Sequence, residues 1–301
     1  MTRTEDWSGL ESAPRWIIMA TGTYLLLGLF ALYVWSTAET ALSIQAPSGG
    51  AEGLSVVGMA VAQAWLCLLA FRCFDPGAPL RRAWFLMMLS AAAHVAGGLL
   101  GQASETAWLL NPLLASARIG QLHRAALILA GPVQMALLAA GLLAALRVLG
   151  KFGFRARPKA TGWAAAGIVI LFALYRCGEA AAGSGIFLVR DAILCVLVLE
   201  ALLLWQSAAC MGRGPVAKCW RAFALGIFLT GFGEAALWAI ARYFPGWPVA
   251  ALEWYVWFPA AAFFALAPAH LVAAVRRATG RVTSPSDELP VRAFTPAVPA
   301  R

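Results

Sequence analysis

Charge is what this sequence has least of. Asp, Glu, Lys and Arg together make up 12% of its 301 residues, while 61% are hydrophobic; a soluble domain carries roughly 25% charged residues. An ordinary soluble domain is excluded on that ground. Signature motifs are scarce as well. The chain contains no GxSxG elbow for a serine nucleophile, no P-loop, no dinucleotide-binding glycine fingerprint and no HExxH, HxxxH or DxxD spacing. Cys67, Cys73, Cys177, Cys195, Cys210 and Cys219 form no CxxC and no dense secreted framework, so they read as small buried hydrophobes. Only three histidines occur, and His94, His123 and His270 fall at different depths of the apolar runs. Bis-histidine haem ligation needs two that face each other. The expectation is no cofactor and no metal.

What the chain does have is long apolar runs. They cover 15–37, 54–72, 83–102, 123–148, 162–182, 187–209, 219–241 and 249–275, and a membrane-crossing helix needs about 20 such residues. The first is too long for the core of a signal peptide, roughly 7–15 residues. The expected fold is all-α: a polytopic membrane protein whose eight transmembrane helices occupy 15–277. A loose tail, 1–14, precedes them, and a tail with four prolines, 278–301, follows them and is expected to be disordered. Only the turn Gly183-Ser184-Gly185 divides the fifth run from the sixth. Ala107–Leu114 reads as an apolar segment lying along the membrane interface between the third and fourth.

Basic residues orient the bundle. Eighteen of the 23 Lys and Arg lie in the N-terminal tail, the connections at 72–82, 147–159 and 213–221, and the C-terminal tail. Arg118, Arg124, Arg190 and Arg242 lie at the opposite ends, and Arg176 sits inside a run. Both termini are therefore expected in the cytoplasm of a cell bounded by this inner, or plasma, membrane. The net charge of +9 becomes a topology signal that also attracts anionic lipid heads. It is not a nucleic-acid footprint, and no nucleic-acid partner is expected.

A weak internal repeat accompanies this pattern. Asp75–Leu86 (DPGAPLRRAWFL) aligns without a gap on Gly214–Leu225 (GPVAKCWRAFAL), with Pro76/Pro215, Ala78/Ala217, Arg82/Arg221, Ala83/Ala222 and Leu86/Leu225 identical. Pro132-x-Gln134 and Pro268-x-His270 add a thinner echo. A duplication would give two parallel four-helix halves, 15–149 and 160–277. Alanine-rich helices match by chance easily, so the alignment leaves duplication and coincidence level.

The stretch from Tyr175 to Glu200 carries Arg176, Glu179, Arg190, Asp191 and Glu200 between apolar neighbours. Ionisable groups at such depth are costly and often mark function. By the orientation above, Arg176, Glu179, Arg190, Asp191, Glu234, Glu253 and His94 fall in the outer half of the bilayer. His123 and Arg124 lie at its rim. Glu200 sits near mid-depth and His270 near the inner end, and the rest of the inner half is nearly all aliphatic. This distribution suggests a polar cavity open to the outside, whose ligand-binding or proton-exchange candidates are His94, Arg176, Glu179, Arg190, Asp191, Glu200 and Glu234.

Each candidate has a plainer reading. Arg176 with Glu179, and Arg190 with Asp191, can neutralise each other near the headgroups while their stems snorkel. Glu234 has no basic neighbour within a turn of its own helix and is a proton carrier unless packing supplies a partner. Glu200 serves equally as a helix-to-helix hydrogen bond. His94, followed by Gly97 and Gly98, suits close helix packing. Pro132, Pro259 and Pro268 fall inside runs, where they kink helices and free carbonyls.

Binding or passage of a small amphipathic or lipid-like molecule is the function this pattern favours. A membrane-embedded enzyme acting on a lipid-linked substrate, with the same carboxylates as acid and base, stands beside it. So does a sensor or assembly subunit whose polar groups meet a partner membrane subunit. Orientation is testable directly. In a background free of native cysteine, cysteines placed at Lys151 or Lys159 are expected to resist membrane-impermeant thiol reagents on intact cells, and one at Ser48 to react. The opposite labelling inverts the topology.

Overall fold

The computed structural model describes residues 8–42, 50–110, 117–154, 185–244 and 249–282, with Trp163 and Gly167 between them. Among these residues the chain is helical and without strands. A short 3-10 turn, Ser8–Ser12, leads into α1 (Ala13–Leu42). Then follow α2 (Gly50–Arg72), α3 (Pro79–Leu110), α4 (Ala117–Lys151), α5 (Gly185–Cys210), α6 (Pro215–Tyr243) and α7 (Val249–Val282). Six of them, α2 to α7, are long and apolar enough to cross a membrane over their described residues. The fifth apolar run, 162–182, lies outside the described residues apart from Trp163 and Gly167.

The helices overrun the apolar stretches that announce them. α3 continues through Leu110, so Ala107–Leu110 extends a helix and is not the separate interfacial segment expected there. α4 begins at Ala117, six residues before its apolar run, and α7 continues through Val282 into the stretch assigned to a disordered tail. Apolar runs end where lipid ends, but helical hydrogen bonding does not need lipid, so each helix carries on into polar surroundings. The N-terminal tail is likewise partly ordered. Leu10 and Ala13 pack against the core.

Short turns at 73–78 and 211–214 join α2 to α3 and α5 to α6. α4 ends at the same end of the bundle, because Gly141 meets Ala83 and Met87 while Gly97 meets Ala130. This is the turn end. Glycine stops the chain there: Gly153 and Gly212 adopt φ of 84° and 78°, a region open to glycine at little cost. After α4 the bonds Phe154 N–H to Leu149 C=O and Gly153 N–H to Gly150 C=O make a Schellman stop. At the end of α5, Arg221 donates to the carbonyl of Gly212 at 2.7 Å.

α2, α3, α4, α5, α6 and α7 pack in that order, and α7 closes back onto α2. Among the described helices the result is a six-membered ring, with α1 on the outside against α7, where Tyr24 stacks on Phe258. Toward the turn end the ring is solid. Trp84, Met87, Leu142, Leu204, Trp220, Phe223 and Ile227 are fully buried there. The ring centroid of Trp84 lies 5.7 Å from that of Trp220 and 5.8 Å from that of Phe223, and Phe223 reaches Phe264 at 6.2 Å. The half at the turn end, expected to be almost wholly aliphatic, has instead an aromatic centre, because single rings span the gap between opposite helices that aliphatic side chains would leave open. Trp16, Leu26, Val61, Trp65, Leu129, Val196 and Phe232 point outward, an apolar exterior that suits lipid and would aggregate in water.

Farther from the turn end, glycine sets the spacing. A Cβ on Gly98 would come within 2.5 Å of Val57, one on Gly97 within 2.8 Å of Ala130, and one on Gly231 within 2.6 Å of Val198; Gly233 is pressed against Val256. So α3 and α6 each approach both neighbours through a pair of glycines. Helices in lipid gain little from hydrophobicity when they pair, so contact at this range matters. Gly58, one residue from Val57, faces open space. Gly98→Ala is therefore expected to destabilise the bundle by about 1–3 kcal/mol, the cost of overpacking. Gly58→Ala should be neutral or gain up to about 1 kcal/mol. Unfolding in detergent checks both.

Candidate functional site

A cavity of about 180 Å³ opens inside the ring just beyond the aromatic core. Every ring helix lines it: Val56 from α2, His94 from α3, Gln134, Met135 and Leu138 from α4, Leu194 and Leu197 from α5, Ile227 and Thr230 from α6, and Trp257, Ala260, Ala261 and Phe264 from α7. The lining is mostly apolar with few polar groups, the usual make-up of a small-molecule site. Its volume is close to the roughly 150 Å³ of a protein cavity that accepts benzene.

The polar groups come from one seam. His94 Nδ1 lies 3.2 Å from Gln134 Nε2, and Ser90, one helical turn before His94, donates from Oγ to the carbonyl of Gln134 at 2.8 Å. Ser90 and His94 share a face of α3 because they are four apart. With the amide nitrogen toward the ring, Gln134 donates to Nδ1 and the neutral imidazole carries its proton on Nε2. Across the chamber, Thr230 donates to the carbonyl of Gly226 in its own helix at 2.9 Å. Its hydroxyl oxygen keeps acceptor capacity. Pro132 lies two residues before Gln134 inside α4 and withholds one rung of the helical ladder there.

The ionisable candidates separate from this chamber. Only His94 lines it. Arg190 on α5 donates from Nη2 to Glu234 Oε2 on α6 at 3.1 Å, and its Nε lies 3.5 Å from Asp191 Oδ1. Packing thus supplies the partner that Glu234 lacks on its own helix, and the bridge clamps α5 to α6 away from the chamber. Glu200 is 7% exposed within the α5 core surface, and its Oε2 has no hydrogen-bond partner among the described residues. Arg176 and Glu179 lie outside the described residues, as do the side chains of His123, Arg124 and Glu253. Among the described residues no three His, Cys, Asp or Glu side chains converge on a point. Cys67 and Cys219 are buried, but Cys210 is exposed, contrary to its reading as a buried hydrophobe. Burial pushes the Cys73 thiol up, with Arg276 pulling the other way.

Sequence reasoning passed over Gln134 except as half of a thin echo, and passed over Ser90 and Thr230 altogether. The available signal was spacing: Ser90 and His94 one turn apart, and a lone glutamine two residues after a mid-helix proline. No family model, no curated protein and no solved structure matches this chain. What the structure shows is the class: among the described residues, an all-helical architecture like that of a multi-pass membrane protein, with six helices long and apolar enough to cross a bilayer.

The bridge can be weighed by a double-mutant cycle. Arg190 and Glu234 side chains are 30% and 26% exposed, so neither is fully solvated and neither is fully enclosed. Arg190→Gln or Glu234→Gln alone is expected to lower stability by about 1–3 kcal/mol, less than the roughly 3–5 of a wholly buried pair. The double variant should lose much less than the sum, as denaturant unfolding of purified protein would report.

Proposed function

We propose that this protein binds a small, mainly apolar molecule with one polar group, of about the size of a single ring or a short chain, in the chamber at the middle of the ring. The observation that carries the reading is the convergence of all six ring helices on one cavity with its polar groups gathered on the α3–α4 seam. His94 Nε2–H is the donor to the ligand's polar group, Thr230 Oγ1 offers an acceptor, and Trp257 and Phe264 cover the apolar part. The proposal narrows the sequence expectation. The ligand is smaller than a whole lipid, and the polar contact comes from His94 and Gln134 more than from the arginines and carboxylates.

Passage of that ligand goes with a two-half architecture, which we propose as well. Exchanging α2 with α5, α3 with α6 and α4 with α7 maps the observed neighbours onto one another: α3–α4 onto α6–α7, α2–α3 onto α5–α6, and α2–α7 onto α5–α4. Trp84 and Phe223 hold equivalent places in the aligned segments and touch each other, as equivalents near a twofold axis do. These correspondences are those a duplication would leave. A chamber between two halves is where parallel-repeat transporters hold their cargo. The cytoplasmic placement of both termini and the inner-membrane location remain part of this reading, supported by the crowding of basic residues at the turn end.

Thermal unfolding in detergent with toluene, p-cresol and indole tests the chamber. Wild-type protein is expected to be stabilised by all three, most by the two that carry a hydrogen-bonding group. Ala261→Phe, which fills the cavity, should abolish the response, and His94→Leu should remove the preference over toluene. Equal responses from wild type and Ala261→Phe would make the cavity a packing void.

A further inference from the structure

A second cavity, separate from the chamber, lies at the turn end outside the ring. It measures about 610 Å³ and is bounded by the start of the chain's helical part, the first turn of α6 and the last turns of α7. Arg15, Arg213, Lys218 and Arg277 line it together with His270, and Glu11 is the one carboxylate of the lining. None of the four cations forms an ion pair among the described residues. Arg277 is held in place through its Nε, which donates to the carbonyl of Ala273 at 3.1 Å and leaves both Nη groups uncommitted. Pro215 opens α6 after an N-cap, Gly214, that has no side chain to satisfy the first backbone N–H groups. That helix end adds a positive pole to the same space.

Four cations held around one concavity repel one another, and water screens them only in part. An anion relieves that repulsion, and a phosphate has the charge and the oxygens to accept from several of them at once. The walls say what else the anion carries. Pro14, Ile18 and Pro215 complete the lining, and Trp16 beside them is 63% exposed with its indole N–H bonded to Ser12 Oγ at 3.2 Å. An exposed tryptophan next to arginine on an otherwise apolar helix face marks the headgroup level of a bilayer. The bowl is therefore at phosphate depth, with apolar surface of α1 leading from it toward the acyl region.

We infer that this bowl is a binding site for the phosphate of an anionic membrane phospholipid, held by Arg15, Arg213, Lys218 and Arg277 between α1, α6 and α7. The lipid would tie α1, which packs only on α7 and the preceding 3-10 turn among the described elements, to the start of α6. The inference is independent of the chamber and its ligand.

The test uses full-length protein in neutral maltoside detergent, titrated with dioleoylphosphatidylglycerol, dioleoylphosphatidylcholine or soluble glycerol 3-phosphate, and read by native mass spectrometry. One phosphatidylglycerol per chain is expected to be retained at concentrations at least tenfold below those needed for the other two. Each basic residue at a membrane surface is worth about 1 kcal/mol toward anionic lipid, so Arg213→Ala/Lys218→Ala should weaken retention by roughly tenfold or more. Arg147→Ala/Lys151→Ala removes the same charge from the same end of the bundle outside the bowl and should leave retention unchanged. Arg15→Ala alone should show a smaller loss of the same kind. Equal loss in both double variants, or no preference for phosphatidylglycerol, would overturn the site. Equal retention of glycerol 3-phosphate would overturn its assignment to lipid. The chamber's response to p-cresol in Arg213→Ala/Lys218→Ala should match wild type, so either proposal can fail alone.

Discussion

Close contact between helix backbones is the constraint on which this structure rests. Lipid tails are as apolar as leucine, so nothing drives two greasy helices together except better packing than lipid can offer. The chain meets that requirement in two ways. Near the turn end, large rings from α3, α6 and α7 fill the centre of the ring, with Trp84, Trp220 and Phe223 all at most 2% exposed. Farther along, α3 and α6 carry glycines at the places where α2, α4, α5 and α7 lie against them. Polar bonds are then fastenings on an existing fit: Ser90 and His94 to Gln134, and Arg190 to Glu234.

The chamber follows from the change between these two modes. Where the packed aromatic core stops, the ring remains six helices wide while small side chains, Ala260, Ala261 and Thr230, enter its lining. The space left over is apolar except along α3–α4. The same geometry explains why the ionisable residues divide as they do. A charge facing the chamber would have little water and no counter-ion, whereas Arg190 at the α5–α6 seam finds Glu234 and Asp191 within reach.

Much of the architecture was legible in the sequence. Apolar length alone locates α2 to α7, since a bilayer demands a minimum that soluble helices seldom meet. Helix ends were not legible, because hydropathy reports the lipid boundary and not the last hydrogen bond; Leu110 and Val282 show the difference. The site was legible only at His94. Around a helix surrounded by lipid, the outward face is as apolar as the inward one, so periodicity gives no direction. Ser90 and Thr230 differ little from any other small polar residue in such a run until the neighbouring helix is known. Glu234 drew attention for its charge, yet its partner sits 44 positions earlier on another helix, a pairing that spacing within one helix cannot reveal.

Trp84 and Trp220 carry one more implication. Both indole N–H groups are buried without an acceptor among the described residues, and their rings interlock across the ring's centre at one end only. Tilting α3 against α6 there would have to prise the buried, mutually tilted rings of Trp84, Trp220 and Phe223 apart. At the opposite end the same tilt merely reshapes a void. The bundle is thus unevenly compliant, stiff as a fulcrum at its aromatic end and yielding beyond it, and any breathing it undergoes will be felt first by whatever occupies the empty space.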